Sequence, residues 1–163
     1  MAPRVVLFQP QIPPNTGNVA RTCAALGREL HLIEPLGFAI TDRHLRRAGL
    51  DYWPWVDLHR HADLDAFERS RRPRGGRLLA FTAHATTSLW DHRFDNDDWL
   101  LFGREADGLP AELQQQADLR LRIPMPHGAA TGLGGVRSLN LAVAVAVALF
   151  EAERQIQHPL TDA

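Results

Sequence analysis

Residues 123–151 read IPMPHGAATGLGGVRSLNLAVAVAVALFE, and the order of residue types in this stretch decides how the rest of the chain is read. An apolar strand end runs into a glycine-rich loop, then a short polar group of Arg137, Ser138 and Asn140, and then an Ala/Val segment. Ser and Asn at a helix entrance stand beside backbone N–H groups that have no partner inside the helix, so a polar ligand can be held there with little rearrangement. The alternation of Ala and Val from Leu141 to Phe150 also matches the period of a strand. Its length, its alanine content and its continuation into Glu151, Ala152, Glu153 and Arg154 predict a helix instead. A helix apolar on all sides is expected to be covered on all sides, in a core or against a second copy of itself.

Outward from this stretch, 163 residues suit a single domain, 1–163, with a core large enough to need neither disulfide nor metal. The single cysteine, Cys23, excludes an internal disulfide and points to a reducing compartment. The start, MAPRVVLF, has no signal-peptide pattern, and no apolar run reaches membrane-spanning length, so a cytoplasmic, soluble protein is expected. The net charge of −1 excludes a globally basic nucleic-acid binder, so any RNA contact must be local. All 18 basic residues are arginine. Without lysine there is no Walker A loop, no Schiff base and no pyridoxal-phosphate site.

Short apolar runs recur at Arg4 to Phe8, Leu30 to Ile33, Val56 to His59, Leu78 to Phe81, Trp99 to Phe102 and Leu119 to Ile123. Between them lie helix-like stretches at Gly17 to Leu26, Asp42 to Gly49, Asp63 to Arg72 and Pro110 to Gln116. This alternation predicts an α/β fold, a mostly parallel sheet with helices on both faces. Asp42 and Asp63 are candidate N-caps, Gly27 and Gly49 candidate stops. The first strand-to-helix connection, QPQIPPNTGNVAR, lacks the G-x-G-x-x-G of a dinucleotide fold. The glycines gather late instead, at Gly103, Gly108 and Gly128 to Gly135, which places the expected ligand site in late loops.

Three clusters carry candidate chemistry: NTGNVAR at Asn15 to Arg21, GREADGLP at Gly103 to Pro110, and the opening stretch. Alone, the first reads sooner as a helix cap with a solvated Arg21, and the second as an ordinary strand, turn and helix with Glu105 near the helix start. Together, with I-P-M at 123–125 and R-S-x-N-L at 137–141, they resemble the SPOUT superfamily of trefoil-knotted RNA methyltransferases, which use S-adenosyl-L-methionine. Within it the chain is most similar to tRNA (cytidine/uridine-34-2′-O)-methyltransferases, through IPPNTGN at 12–18, HLIEPLGF at 31–38 and LRRAGLDYW at 45–53.

That resemblance implies a homodimer with a C-terminal deep trefoil knot and methyl transfer to the wobble ribose of tRNA, leucine isoacceptors among them. It implies cofactor contacts at Phe81, Gly103, Ile123 and Ser138, catalytic work at Arg21, Ser138 and Asn140, and support from Asn15 and Glu105. The chain departs from the family in a longer, glycine-richer loop, HGAATGLGGV, and in Val136 where serine is usual. Two other readings fit the same residues: 2′-O-methylation elsewhere in tRNA or on rRNA, and a catalytically silent knotted RNA-binding protein.

Methyl transfer from a sulfonium to a ribose hydroxyl is an in-line displacement that needs no metal; it needs the hydroxyl held close and its developing negative charge stabilised. A guanidinium does not give up its proton readily, so Arg21 suits orientation of the hydroxyl and an adjacent phosphate better than proton acceptance. His127 lies in the cofactor loop and is read as a solvated loop residue, while His31, His59 and His61 show no metal-ligand spacing. For the anticodon stem-loop, Arg43, Arg46 and Arg47 are the candidate contacts, because LRRAGLDYW joins charge to aromatics able to stack on unpaired bases. Arg69, Arg71, Arg72, Arg74 and Arg77 read either as a solvated surface or as a second RNA contact, and Asp91, Asp95, Asp97 and Asp98 are expected to face away from RNA.

Overall fold

The computed structural model describes residues 2–41, 52–129, 132 and 134–158. The helix expected from Asp42 to Gly49, with both its caps, and the candidate RNA contacts Arg43, Arg46 and Arg47 lie outside the described residues. In chain order the strands are β1 (Arg4–Phe8), β2 (Leu30–Ile33), β3 (Leu58–His61), β4 (Leu78–Phe81), β5 (Thr87–Ser88), β6 (Trp99–Phe102) and β7 (Leu119–Arg122). The α-helices are α1 (Pro13–Leu26), α2 (Leu64–Arg71), α3 (Ala111–Gln116) and α4 (Leu141–Gln157). The seven strands form one sheet in the order β3-β2-β1-β6-β4-β7-β5, and every neighbouring pair is parallel.

Side chains alternate across each strand, so the apolar runs feed two cores at once. On one face Val5, Leu7, Leu79, Leu100 and Phe102 pack with Val19, Ala20 and Cys23 of α1 and Val145, Ala148 and Leu149 of α4. On the other, Val6, Phe8, Leu78, Trp99 and Leu101 pack with Phe67 of α2 and Leu113 of α3. Burial on both faces explains why the central strands read as unbroken apolar runs.

Several boundaries differ from expectation, each for a local reason. α1 begins at Pro13 rather than Gly17, because proline at the first helical positions needs no N–H partner and already holds a helical φ. It ends as expected at Gly27, in the left-handed region at φ 62°. β3 starts at Leu58 rather than Val56, since a 3-10 turn over Trp53–Trp55 extends to Val56, whose N–H donates to the Trp53 carbonyl at 3.1 Å. β5, two residues long, has no periodicity to announce it.

For α4, its own chain supplies only part of the expected cover. Leu141, Val145, Ala148, Leu149 and Ala152 are buried, but Val143 and Phe150 are about half exposed, at 49% and 53%. The buried face also carries the carboxylate of Glu153, which accepts from Arg28 Nε and, at 2.6 Å, from Arg28 Nη2. One chain therefore covers only one side of this helix. No described helix is long and apolar enough to cross a membrane.

Candidate active site at the carboxyl ends of the central strands

In an open parallel sheet, ligands settle beyond the carboxyl ends of the strands, near the point where strand order reverses. Here the chain builds β1, β2 and β3 to one side, then returns to place β6 and β4 on the other side of β1. A cleft of about 1010 Å³ opens beyond β4, β6 and β7. Its lining includes Phe81, Gly103, Ile123 and Ser138, together with Asn15, Glu105, Arg137 and Asn140. The four positions assigned to the cofactor by resemblance, drawn from four separate segments, thus meet in one place.

The floor is apolar. Phe81 stacks on Phe102 with ring centres 4.7 Å apart, and Met125 and Leu141 continue the apolar surface. The loop after β6 closes on itself through two backbone bonds between Arg104 and Gly108, of 3.1 and 2.9 Å. Gly103 makes that closure possible, because a Cβ there would stand 2.2 Å from the Gly108 carbonyl carbon and 2.4 Å from the Leu109 nitrogen. In the same loop Arg104 is fixed by Asp107, at 2.7 and 2.6 Å, and by Gln9 Oε1 at 3.0 Å. In the later glycine-rich loop, Gly135 has a φ of 128° and a Cβ would meet the His127 carbonyl oxygen at 2.1 Å, so a side chain fits neither the backbone angle nor the space.

A relay of polar groups joins this loop to both helix starts. The Glu105 carboxylate accepts from the backbone N–H groups of Gln11 and Ile12 at 2.8 and 3.1 Å, and from Asn15 Nδ2 at 3.4 Å. Glu105 therefore caps the approach to α1, across the sheet, rather than the start of α3. Asn15 Oδ1 accepts from Asn140 Nδ2 at 2.9 Å, and Asn140 Oδ1 accepts from the N–H groups of Ala142 and Val143 at 2.9 and 3.4 Å. Asn140 is thus the N-cap of α4, with both ends of its amide committed.

Arg21 is not brought to this cleft in its own chain. It stands exposed on α1, where Nη2 donates to the Tyr52 hydroxyl at 3.1 Å and the guanidinium lies 4.5 Å from the Tyr52 ring centre. Sequence reading offered Tyr52 as an aromatic for bases and not as a partner of Arg21; 31 residues separate the two, and no spacing rule links them. His127 is exposed on the loop, as expected.

The second arginine group is largely neutralised within the chain. Arg71 and Arg72 pair with Glu68, Arg74 with Glu29 at 2.6 Å, and Arg77 with Asp98 at 2.8 Å and Asp95 at 3.0 Å. The acidic residues do not simply face outward, since Asp98 is fully buried beneath Arg77.

His31, His59 and His61 lie on β2 and β3 and are closer together than their spacing suggested. His31 Nε2 lies 2.9 Å from Glu29 Oε2 and Nδ1 lies 3.0 Å from His61 Nε2. Glu29, His31 and His59 offer ligand atoms within 4.8 Å of one another. The His31 and His59 rings stack nearly parallel, 4.5 Å apart, so their lone pairs run side by side rather than converge on an ion, and both Glu29 oxygens already accept from Arg74.

Among known proteins, the chain is similar to one from Polaromonas sp. named tRNA (cytidine(34)-2′-O)-methyltransferase, 49% identical over 93% of this chain and 89% of that one. It is similar to a solved structure described as giving insight into 2-OH methylation of C/U34 on tRNA, with 53% identity, a TM-score of 0.88, and coverage of 96% and 97% of the two chains. The AdoMet-bound rRNA methyltransferase from Sinorhizobium meliloti is 28% identical, with a TM-score of 0.83 over 98% of this chain and 57% of that one. The family model described as the SpoU rRNA Methylase family matches residues 2–150, nearly the whole of the sheet, cleft and polar relay, and the chain belongs to that family.

Proposed function

We propose that this protein transfers a methyl group from S-adenosyl-L-methionine to the ribose 2′-hydroxyl of the wobble nucleotide, cytidine or uridine 34, in tRNA, with leucine isoacceptors as substrates. The observation that carries the reading is the convergence of Phe81, Gly103, Ile123 and Ser138 on a single cleft whose rim is the Glu105–Asn15–Asn140 relay. Similarity over nearly the full length to proteins named for this activity supports it. The cleft suits a ligand with a flat ring system and a polar tail, because apolar Phe81, Ile123, Met125 and Leu141 lie beside the polar groups of the two late loops.

When bound, the cofactor supplies a methyl group on a cationic sulfonium. The chain's own residues have three tasks. The two late loops and Ser138 hold the donor, and Asn140, immobilised as the α4 cap, gives the rim a fixed shape. Arg21 would orient the ribose hydroxyl and set a positive charge beside its oxygen, where negative charge develops as the hydroxyl proton passes to solvent.

Because Arg21 does not reach the cleft of its own chain, this reading takes a homodimer in which Arg21 completes the partner's site. The exposed Val143 and Phe150 of α4, which packs beside α1, support such an interface. The long return from β7, past the Gly103–Leu109 turn and into α4, is the segment we assign to the trefoil knot. Arg43, Arg46 and Arg47, just before Tyr52 in sequence, are assigned to the anticodon stem-loop, and the compartment is the cytoplasm.

Purified protein incubated with labelled S-adenosyl-L-methionine and unmodified tRNA, followed by mapping of the modified nucleotide, tests the reading. Label at position 34 is expected; label only in rRNA, or at another tRNA position, would overturn it. The variant Arg21→Ala is expected to lose transfer while binding the cofactor as tightly as the parent.

A further inference from the structure

An arginine on an exposed helix face ordinarily samples many rotamers, and fixing it costs conformational entropy. Arg21 is held by a single residue in two ways, through the hydrogen bond of 3.1 Å to the Tyr52 hydroxyl and through its position 4.5 Å from the ring centre. An aromatic face attracts a cation, so both contacts favour the same placement of the charged group.

Tyr52 is itself anchored. Its carbonyl accepts from the Trp55 N–H at 2.9 Å, and Trp53 and Val56, on either side of the turn, pack against the core beneath α1 and α4. The contrast with other arginines is informative. Arg28, Arg74 and Arg77 each meet a carboxylate, whereas the partner of Arg21 among the described residues is a neutral phenol. The phenol fixes the guanidinium without spending its charge.

We propose that Tyr52 is a positioning residue for the methyl-transfer step, holding Arg21 as a preorganised cation for the ribose oxygen and adjacent phosphate. This rests on the methyltransferase reading above. It assigns to Tyr52 a role besides stacking on RNA bases, since one ring face is turned to Arg21. A cation held in this way acts by orientation and charge, and carries no proton away.

Single-turnover transfer to unmodified tRNA, with cofactor affinity measured by calorimetry, is compared for the parent, Tyr52→Phe, Tyr52→Ala, Arg21→Ala and the Tyr52→Ala/Arg21→Ala double variant. Tyr52→Ala is expected to slow transfer by about tenfold or more, with cofactor affinity unchanged within about twofold. Tyr52→Phe, which keeps the ring, should recover part of that loss. The double variant should be no slower than Arg21→Ala alone, since one residue acts through the other. Full turnover by Tyr52→Ala beside an inactive Arg21→Ala, or additive losses, would overturn the proposal. An independent arm reads the nitrogen resonances of the Arg21 guanidinium: separate signals from restricted rotation are expected in the parent and averaged ones in Tyr52→Ala. Averaged signals in the parent would overturn the pairing whatever the activity. Separate signals in a parent that methylates no tRNA would keep the pairing and overturn the methyltransferase reading.

Discussion

His31 shows how a single position sets a stability profile. Its ring is fully buried between β1 and β3, 5.0 Å from Trp99, and burial, ahead of the opposing hydrogen bond that the ring donates to Glu29, pushes its pKa down from 6.5 to about 4. His61 is lowered as well, by burial and then by His59. The unfolded chain therefore takes up protons at a higher pH than the folded one, and stability is lost as pH falls from about 6.5 toward about 4. Glu29 adds to the same slope lower down. Hydrogen bonding from Arg74 is the main cause holding it at about 2 instead of 4.5, so its contribution is lost as the carboxylate protonates below the unfolded value. Urea unfolding should show a lower midpoint near pH 5 than near pH 7.5, and His31→Asn should flatten that difference. A parent midpoint independent of pH across this range would contradict the burial account of His31.

At the scale of elements, α4 joins two tasks that composition alone keeps apart. Its first turn is tied to the cleft through Asn140, and its far end is tied to the body of the sheet through Glu153 and Arg28. Glu153 keeps only 5% of its side chain exposed and also accepts from Gln157 Nε2 at 2.9 Å. Removing a guanidinium from such a pair strands a buried charge. Arg28→Ala should therefore destabilise the chain by about 3 kcal/mol or more in a denaturation experiment, while Arg28→Ala/Glu153→Met should recover much of the loss. Equal destabilisation by the two variants would show that the cost lies in packing and not in the unpaired carboxylate. The same helix exposes the limit of periodicity: the Ala/Val run identifies an apolar segment, but which of its sides meets the sheet depends on how α1 and α4 cross.

For the whole molecule, the distance between Arg21 and the cleft of its own chain becomes a test of assembly. If each site takes Arg21 from one copy and Asn140 and Ser138 from the other, an inactive Arg21→Ala chain and an inactive Asn140→Ala chain should restore activity when unfolded together and refolded. Random pairing gives about half mixed dimers, each with one intact site, so about a quarter of parental activity is expected. No recovery, with mixed dimers confirmed by mass, would place all site residues in one chain. Replacement of Val143 by Asp should give a folded monomer with little transfer, readable by light scattering alongside the methylation assay.

Much of this was legible in the linear chain. The apolar runs from Arg4 to Phe8 and from Trp99 to Phe102 announced central parallel strands, because burial on both faces leaves no polar alternation. The late glycines were visible as a cluster, and Gly103 and Gly108 line the cleft, since close backbone turns demand glycine wherever they occur. Asn140 stood out at a helix entrance, and the structure adds that its own side chain takes up the N–H groups of Ala142 and Val143 as the cap. Long-range partnerships were not readable. Glu105 reaches the approach to α1 from more than ninety residues away, Tyr52 holds Arg21 across two elements, and Asp98 sits beneath Arg77 because β4 and β6 are neighbours. Residue type and local spacing fix what a side chain can do; which partner it meets is decided by the strand order, which alone brings distant segments within hydrogen-bonding reach.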